Sequence, residues 1–166
     1  IDAAENQTAV TNIAVSDVDV DDSLTLTLSG TDAESFDLSA GNVLSFKEAP
    51  DYESKNSYSI TLTLTDGIET VTKDITVIVT NVNDIAPEFT SESTFSAVEN
   101  QVSIGSVTAT DIEGDRIMFS ISGTELVVSP EGVLTFEAAP DYEAKASYTA
   151  TVTASDSVHT VTQDIT

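Results

Sequence analysis

The sequence predicts an all-β chain of two tandem seven-stranded β-sandwiches. Three observations carry that prediction: short segments in which apolar and hydroxyl-bearing residues alternate, turn residues that punctuate them, and one order of segments written twice. Leu24-Thr25-Leu26-Thr27-Leu28 alternates as a half-buried strand must, because successive side chains point to opposite faces. Tyr58-Ser59-Ile60-Thr61-Leu62-Thr63-Leu64 does the same, and Ile75-Thr76-Val77-Ile78-Val79 does so in part. Asp66-Gly67 supplies a turn between two of these runs. With an edge segment near residue 3, a strand over 10–16 and short strands over 36–39 and 43–47, one copy reaches about seven strands in a length typical of a β-sandwich.

The repeat fixes the domain plan. Ala3-Ala4-Glu5-Asn6-Gln7 matches Ala97-Val98-Glu99-Asn100-Gln101, and Val15-Ser16-Asp17 matches Ala109-Thr110-Asp111, both at an offset of 94 (99 − 5, 111 − 17). Val43-Leu44-Ser45-Phe46 matches Val133-Leu134-Thr135-Phe136, and Asp51 matches Asp141, at an offset of 90 (133 − 43, 141 − 51). The second copy is therefore about four residues shorter, in the loop after Gly30 and Gly123, where a surface connection tolerates deletion. The repeats are expected over 1–84 and 85–166. The second stops early: Gln163-Asp164-Ile165-Thr166 corresponds to Lys73-Asp74-Ile75-Thr76, and the expectation is a truncated chain.

Composition narrows the function classes. The chain has 166 residues, with 29 Asp plus Glu against 5 Lys plus Arg and a formal net charge of −24. Nucleic-acid backbones and anionic membranes are excluded as partners, since both need Lys/Arg clusters. Disorder fits poorly with 40% hydrophobic residues that alternate in register. With no cysteine, disulfides, zinc–thiolate sites and cysteine nucleophiles are excluded, and a metal is the remaining staple for small β-domains. No run approaches the ~18–20 apolar residues of a membrane span, and no signal-peptide pattern opens the chain.

The chemistry-bearing residues are carboxylates. Asp51-Tyr52-Glu53 and Asp141-Tyr142-Glu143 are one acidic pair written twice, each after Ala-Pro, with Asn81-Val82-Asn83-Asp84-Ile85-Ala86-Pro87 between them. Acidic clusters recurring at one place per repeat point to oxygen ligands around a metal. An active site seldom recurs once per module, so paired-carboxylate glycosidase chemistry is disfavoured. His159, the only histidine, reads as a structural strand residue, and no Gly-rich phosphate loop or serine–histidine arrangement stands out. An enzyme is not expected. Tyr52, Tyr58, Tyr142 and Tyr148 read as packing residues rather than a sugar platform, and Asn6-Gln7-Thr8 fits a glycosylation triplet that chance often produces.

In the order Glu5-Asn6, Asp51-Tyr52-Glu53, Asn81 to Pro87, Asp111-Ile112-Glu113 and Asp156 after Thr153-Ala154-Ser155, the chain resembles the cadherin repeat over both copies. The resemblance implies a Greek-key, immunoglobulin-like sandwich in each copy. It further implies that Glu-Asn and Asp-x-Glu lie at the bottom of one domain, and that Asp-x-Asp and the strand-end Asp lie at the top of the next. Glu5, Asp51, Glu53 and Asp84, with the Val82 carbonyl, would then hold the ion or ions nearest the first domain. Asn83, Asp111, Glu113 and Asp156, with the Ile85 carbonyl, would hold the ion nearest the second, Glu113 bridging. There are three departures: Asn81 where the family often has Asp, Glu113 where it has the shorter Asp, and Tyr52 where it commonly has Arg.

Electrostatics points the same way. Seven carboxylates at one junction repel by about 3–4 kcal/mol per pair at roughly 4–6 Å and an effective dielectric of about 20. Two or three Ca²⁺ ions would neutralise them. Oxygen donors without His or Cys select Ca²⁺ or Mg²⁺, and a mixed, flexible ligand set suits Ca²⁺. Asp17, Asp19 and Asp66, and likewise Glu99, Asp141 and Glu143, are half-sites expected to be weakly occupied. The implied function is a calcium-dependent extracellular adhesion and extension module of a long cell-surface array, bacterial in style. Its partners would be neighbouring repeats of the same chain, with carbohydrate or another cell-surface protein in reserve. The alternative is a carbohydrate-binding or homophilic adhesive module.

Overall fold

Alternating Thr and Leu leave one side of a strand wet and one side apolar, and a computed structural model, described over residues 1–18 and 23–166, pairs such strands into sheets. The chain folds as two units, Ile1–Val82 and Asn83–Thr166. The expected half-site residue Asp19 lies outside the described residues.

In the first unit the strands are β1 (Asp2–Ala4), β2 (Ala9–Asn12), β3 (Thr25–Ser29), β4 (Phe36–Leu38), β5 (Val43–Phe46), β6 (Ser57–Thr65) and β7 (Thr70–Thr80). They form a sheet in the order β1-β7-β6-β3 and a second in the order β2-β5-β4. The inward residues of the two sheets make one core: Ala3, Ile60, Val77 and Val79 from the first, Phe36, Leu44 and Phe46 from the second. Phe36 stacks on Phe46 at 4.4 Å, and the edge of the Tyr58 ring meets Phe46 at 5.0 Å. β1 pairs with β7 in parallel and antiparallel pairing joins the others, as in a Greek key.

Two expectations need adjusting. The strand over 10–16 ends at Asn12, because its partner β5 begins only at Val43: Asn42 is left-handed at φ +58 and its N–H turns to the Ser39 carbonyl at 2.9 Å. Three of the four deleted residues fall in a single 3₁₀ turn, Ala33–Ser35, and not in plain loop. Gly30 matches Gly123 at an offset of 93, whereas Phe36 matches Leu126 at 90, and the turn lies between those points.

In the second unit the strands are β8 (Glu88–Phe89), β9 (Ser103–Ser106), β10 (Ala109–Thr110), β11 (Met118–Ile121), β12 (Leu126–Val128), β13 (Val133–Phe136), β14 (Ala150–Ser155) and β15 (Thr160–Ile165). They run in the orders β11-β14-β15 and β12-β13-β9, with β10 against β8. Val107, Leu126, Leu134, Val152 and Ile165 form its core. Gly132 sits at φ +93 where a Cβ would come 2.3 Å from the Val107 carbonyl oxygen, so only glycine fits this turn. No helix among the described residues is long and apolar enough to cross a membrane.

Candidate metal centre

At one end of the first unit, the Glu5-Asn6 pair owes its shape to backbone conformation. Asn6 takes the left-handed conformation at φ +61, which Asn tolerates better than most residues, and its N–H donates to the Pro50 carbonyl at 3.0 Å. The same torsion recurs at Asn100, φ +62, with its N–H on Pro140 at 2.9 Å. The bend turns the Glu5 side chain inward, 3% exposed. There Oε2 accepts the Tyr52 N–H at 2.8 Å and Oε1 the Val82 N–H at 2.7 Å. Glu5 thus holds the 51–54 turn and the start of the 81–87 segment while keeping a carboxylate oxygen within 4.8 Å of one from Glu53.

Asp51 behaves differently. Its Oδ1 accepts the N–H groups of Glu53 at 3.0 Å and Ser54 at 3.2 Å, and Oδ2 accepts the Ser54 hydroxyl at 2.8 Å. The Ser54 hydroxyl and amide hold this carboxyl below its ordinary pKa. Asp51 shapes its own turn and is not among the carboxylates grouped with Glu5 and Glu53. Val82 is exposed, and its N–H is the group that Glu5 fixes.

In the second unit, Glu113 accepts the Asp84 N–H at 3.2 Å on each oxygen and the Ile85 N–H at 2.9 Å. The extra methylene of Glu over Asp lets it span both amides. Asp111 Oδ1 accepts the N–H groups of Glu113 at 2.9 Å and Asp115 at 3.2 Å. Its Oδ2 is buried and meets no hydrogen-bond partner among the described residues. Asp111, Glu113 and Asp115 each bring an oxygen within 4.8 Å of the others. Asp115 was missed from sequence. Its signal was the i, i+2, i+4 spacing of Asp111, Glu113 and Asp115, which Asp17, Asp19 and Asp21 repeat.

Asp156 directly follows β14 with a fully buried side chain, and its Oδ1 accepts the N–H groups of Val158 at 2.8 Å and His159 at 2.6 Å. Burial pushes this carboxyl up, but the two amides and the His159 ring outweigh it and hold the pKa below the ordinary value. Asp66 makes the same turn in the first unit, accepting from Ile68 at 2.7 Å and Glu69 at 2.6 Å. His159, expected on a strand, lies instead in the turn just before β15, where its Nδ1 is 3.0 Å from Asn83 Oδ1 and 3.3 Å from Asp156 Oδ2. The tautomer with hydrogen on Nδ1 donates to both oxygens and fixes the Asn83 amide. A further acidic group, Glu99, Asp141 and Glu143, gathers within 4.8 Å in the same unit.

The donor set fits a hard cation. A buried carboxylate oxygen that meets no N–H or O–H loses its hydration without compensation. A divalent ion coordinated by oxygens would supply what Asp111 Oδ2 lacks, and the neighbouring ligand atoms are carboxylate oxygens of Glu113 and Asp115.

No protein-family model matches the chain. Over 89 residues, 51% of this chain, it is 36% identical to Cadherin-3 of Caenorhabditis elegans. Over 138 residues, 76% of this chain, it is 30% identical to Protocadherin Fat 4 of Homo sapiens. The chain spans 3% of the length of each of these curated relatives. Among solved structures, human Protocadherin-24 EC1-2 is similar with a TM-score of 0.75 and 20% identity, over 100% of this chain and 89% of that one. Drosophila N-cadherin EC1-4 gives 0.79 and 22%, over 99% of this chain and 46% of that one. The Protocadherin Gamma B2 extracellular cadherin domains 1-5 give 0.65 and 25%, over 86% and 31%. Sandwich topology, acidic loops and these similarities together define a class: the chain is built of cadherin-like domains.

Proposed function

We propose that this chain is a Ca²⁺-dependent extracellular adhesion and extension module, with repeats over 1–84 and 85–166 whose junction Ca²⁺ makes rigid. The ligands are Glu5, Asp51, Glu53 and Asp84 with the Val82 carbonyl, and Asn83, Asp111, Glu113 and Asp156 with the Ile85 carbonyl; Asp115 joins them beside Asp111. Two or three ions offset the local negative charge. What supports the reading above all is Asp111 Oδ2, a buried carboxylate oxygen that no donor among the described residues reaches. The module is not an enzyme: its acidic groups recur per repeat and serve as ligands. Its partners are neighbouring repeats of the same chain, on a cell surface.

The test is a Ca²⁺ titration of thermal unfolding and of small-angle scattering, starting from chelator. Bound Ca²⁺ stabilises by about 2.7 kcal/mol per independent site at a hundredfold excess over Kd. Melting should rise and scattering should stiffen with Ca²⁺, and Asp84→Ala and Glu53→Ala should blunt both responses. Melting and scattering that ignore Ca²⁺ overturn the assignment.

A further inference from the structure

One core-facing position of β15 carries a polar side chain. Val161, Gln163 and Ile165 alternate with the exposed Thr160, Thr162 and Asp164, so Gln163 shares the inward face with the buried Ile165. Its amide reaches the segment that follows β8. Nε2 donates to the Ser91 carbonyl at 3.4 Å, and the Ser91 N–H donates to the Thr108 carbonyl at 3.2 Å. Further along, the Phe95 N–H donates to the Thr166 carbonyl at 2.8 Å and the Thr166 N–H to the Ser93 carbonyl at 2.9 Å. Gln163 and Ser91 thus open the contact that lays 91–95 along 163–166.

Two atoms of that pair are left to satisfy. Ser91 Oγ and Gln163 Oε1 are both buried, and no described residue gives either a hydrogen bond. Turning the amide over does not help, because Oε1 would then face the Ser91 carbonyl oxygen. A direct bond between the two side chains would serve both, and they do not make it. Buried polar atoms in that position lose their hydration without compensation. The hydroxyl needs an acceptor and the amide oxygen needs a donor. Water is both. A cation suits the pair poorly, since neither side chain carries negative charge to offset it.

We infer that Ser91 and Gln163 form a binding site for one internal water. The water accepts from the Ser91 hydroxyl and donates to Gln163 Oε1, which closes a polar bridge between the 91–95 segment and β15. At an offset of 90 the first unit has Lys73 in the place of Gln163, so the bridge is not a property of the repeat.

The experiment compares the 166-residue chain with Ser91→Ala, Gln163→Met and the double variant. All are studied in chelator, which separates the outcome from calcium binding. Hydrogen exchange of the Phe95 amide, bonded to Thr166, reads how firmly the segment is fastened. Each single substitution takes a partner from the water and should speed that exchange by at least about fivefold. Adding Ser91→Ala to Gln163→Met should change it by less than about twofold, because the bridge is already broken. A second readout is direct: the Gln163 side-chain amide protons should show a nuclear Overhauser contact to a long-lived water, lost in Ser91→Ala. Three results overturn the site: exchange that slows or stays unchanged in Ser91→Ala, a double variant whose effect is the product of the singles, or a Gln163 amide without that contact.

Discussion

Glu5 Oε1 accepts the backbone N–H of Val82 at 2.7 Å, bridging residues 77 apart in sequence, while Oε2 holds Tyr52 at 2.8 Å. One buried carboxylate therefore ties three segments of the first unit together before any ion is considered. Removing it strands two amides. Glu5→Ala should cost about 2–3 kcal/mol in urea unfolding measured in chelator. Glu5→Gln should cost less, because the amide oxygen still accepts one of the two N–H groups.

Asp111 reverses that expectation. Its Oδ1 serves two amides, but its Oδ2 serves none among the described residues. Asp111→Asn keeps the accepting oxygen and removes the buried charge, so in chelator it should be neutral or stabilising by up to about 1 kcal/mol. In saturating Ca²⁺ the order should invert, with wild type more stable than the variant. Calorimetric unfolding in both conditions checks the crossover.

Strands were legible in the sequence because Leu24 to Leu28 and Tyr58 to Leu64 alternate strictly, and alternation is how a half-buried strand reports itself. The 3₁₀ turn at Ala33–Ser35 left no periodic trace, being three residues long. At the candidate site, the motif residues were readable but their separate jobs were not. Asp51 spends its oxygens on Ser54 and Glu53, and Glu113 spends its own on Asp84 and Ile85; those choices depend on loop geometry. His159 was unreadable for the same reason. Its link to Asn83 spans 76 residues and no spacing announces it.

Ser157 occupies φ +86 in the turn where the first repeat has Gly67 at φ +96. A side chain in that region is strained, and glycine is not, although glycine loses more entropy on folding. The Ser157 N–H to Ser155 Oγ bond, 3.2 Å, survives the change. Ser157→Gly should stabilise the second unit by about 0.5–1 kcal/mol, seen as a higher midpoint in chelator.

Lys55 Nζ sits 4.5 Å from the Tyr58 ring centre and bonds Asp32, and Lys145 sits 4.5 Å from Tyr148 and bonds Glu125. Lysine and tyrosine recur at an offset of 90 (145 − 55, 148 − 58), so the clamp belongs to the repeat. The Lys55 hydrogen bond, then the Ser59 N–H at 2.7 Å, hold the Asp32 carboxyl below its ordinary pKa. A group whose folded pKa is depressed adds stability above its unfolded value and loses it as pH falls through the folded value. Asp32→Asn should therefore be less stable than wild type at pH 7. The gap should close as pH falls below about 4, where the unfolded-state carboxyl protonates first. Both partners are partly exposed, so the effect should be modest and should shrink in high salt. Urea unfolding of both proteins between pH 7 and pH 2.5, in chelator, measures it; a gap constant across that range would remove Asp32 as its source.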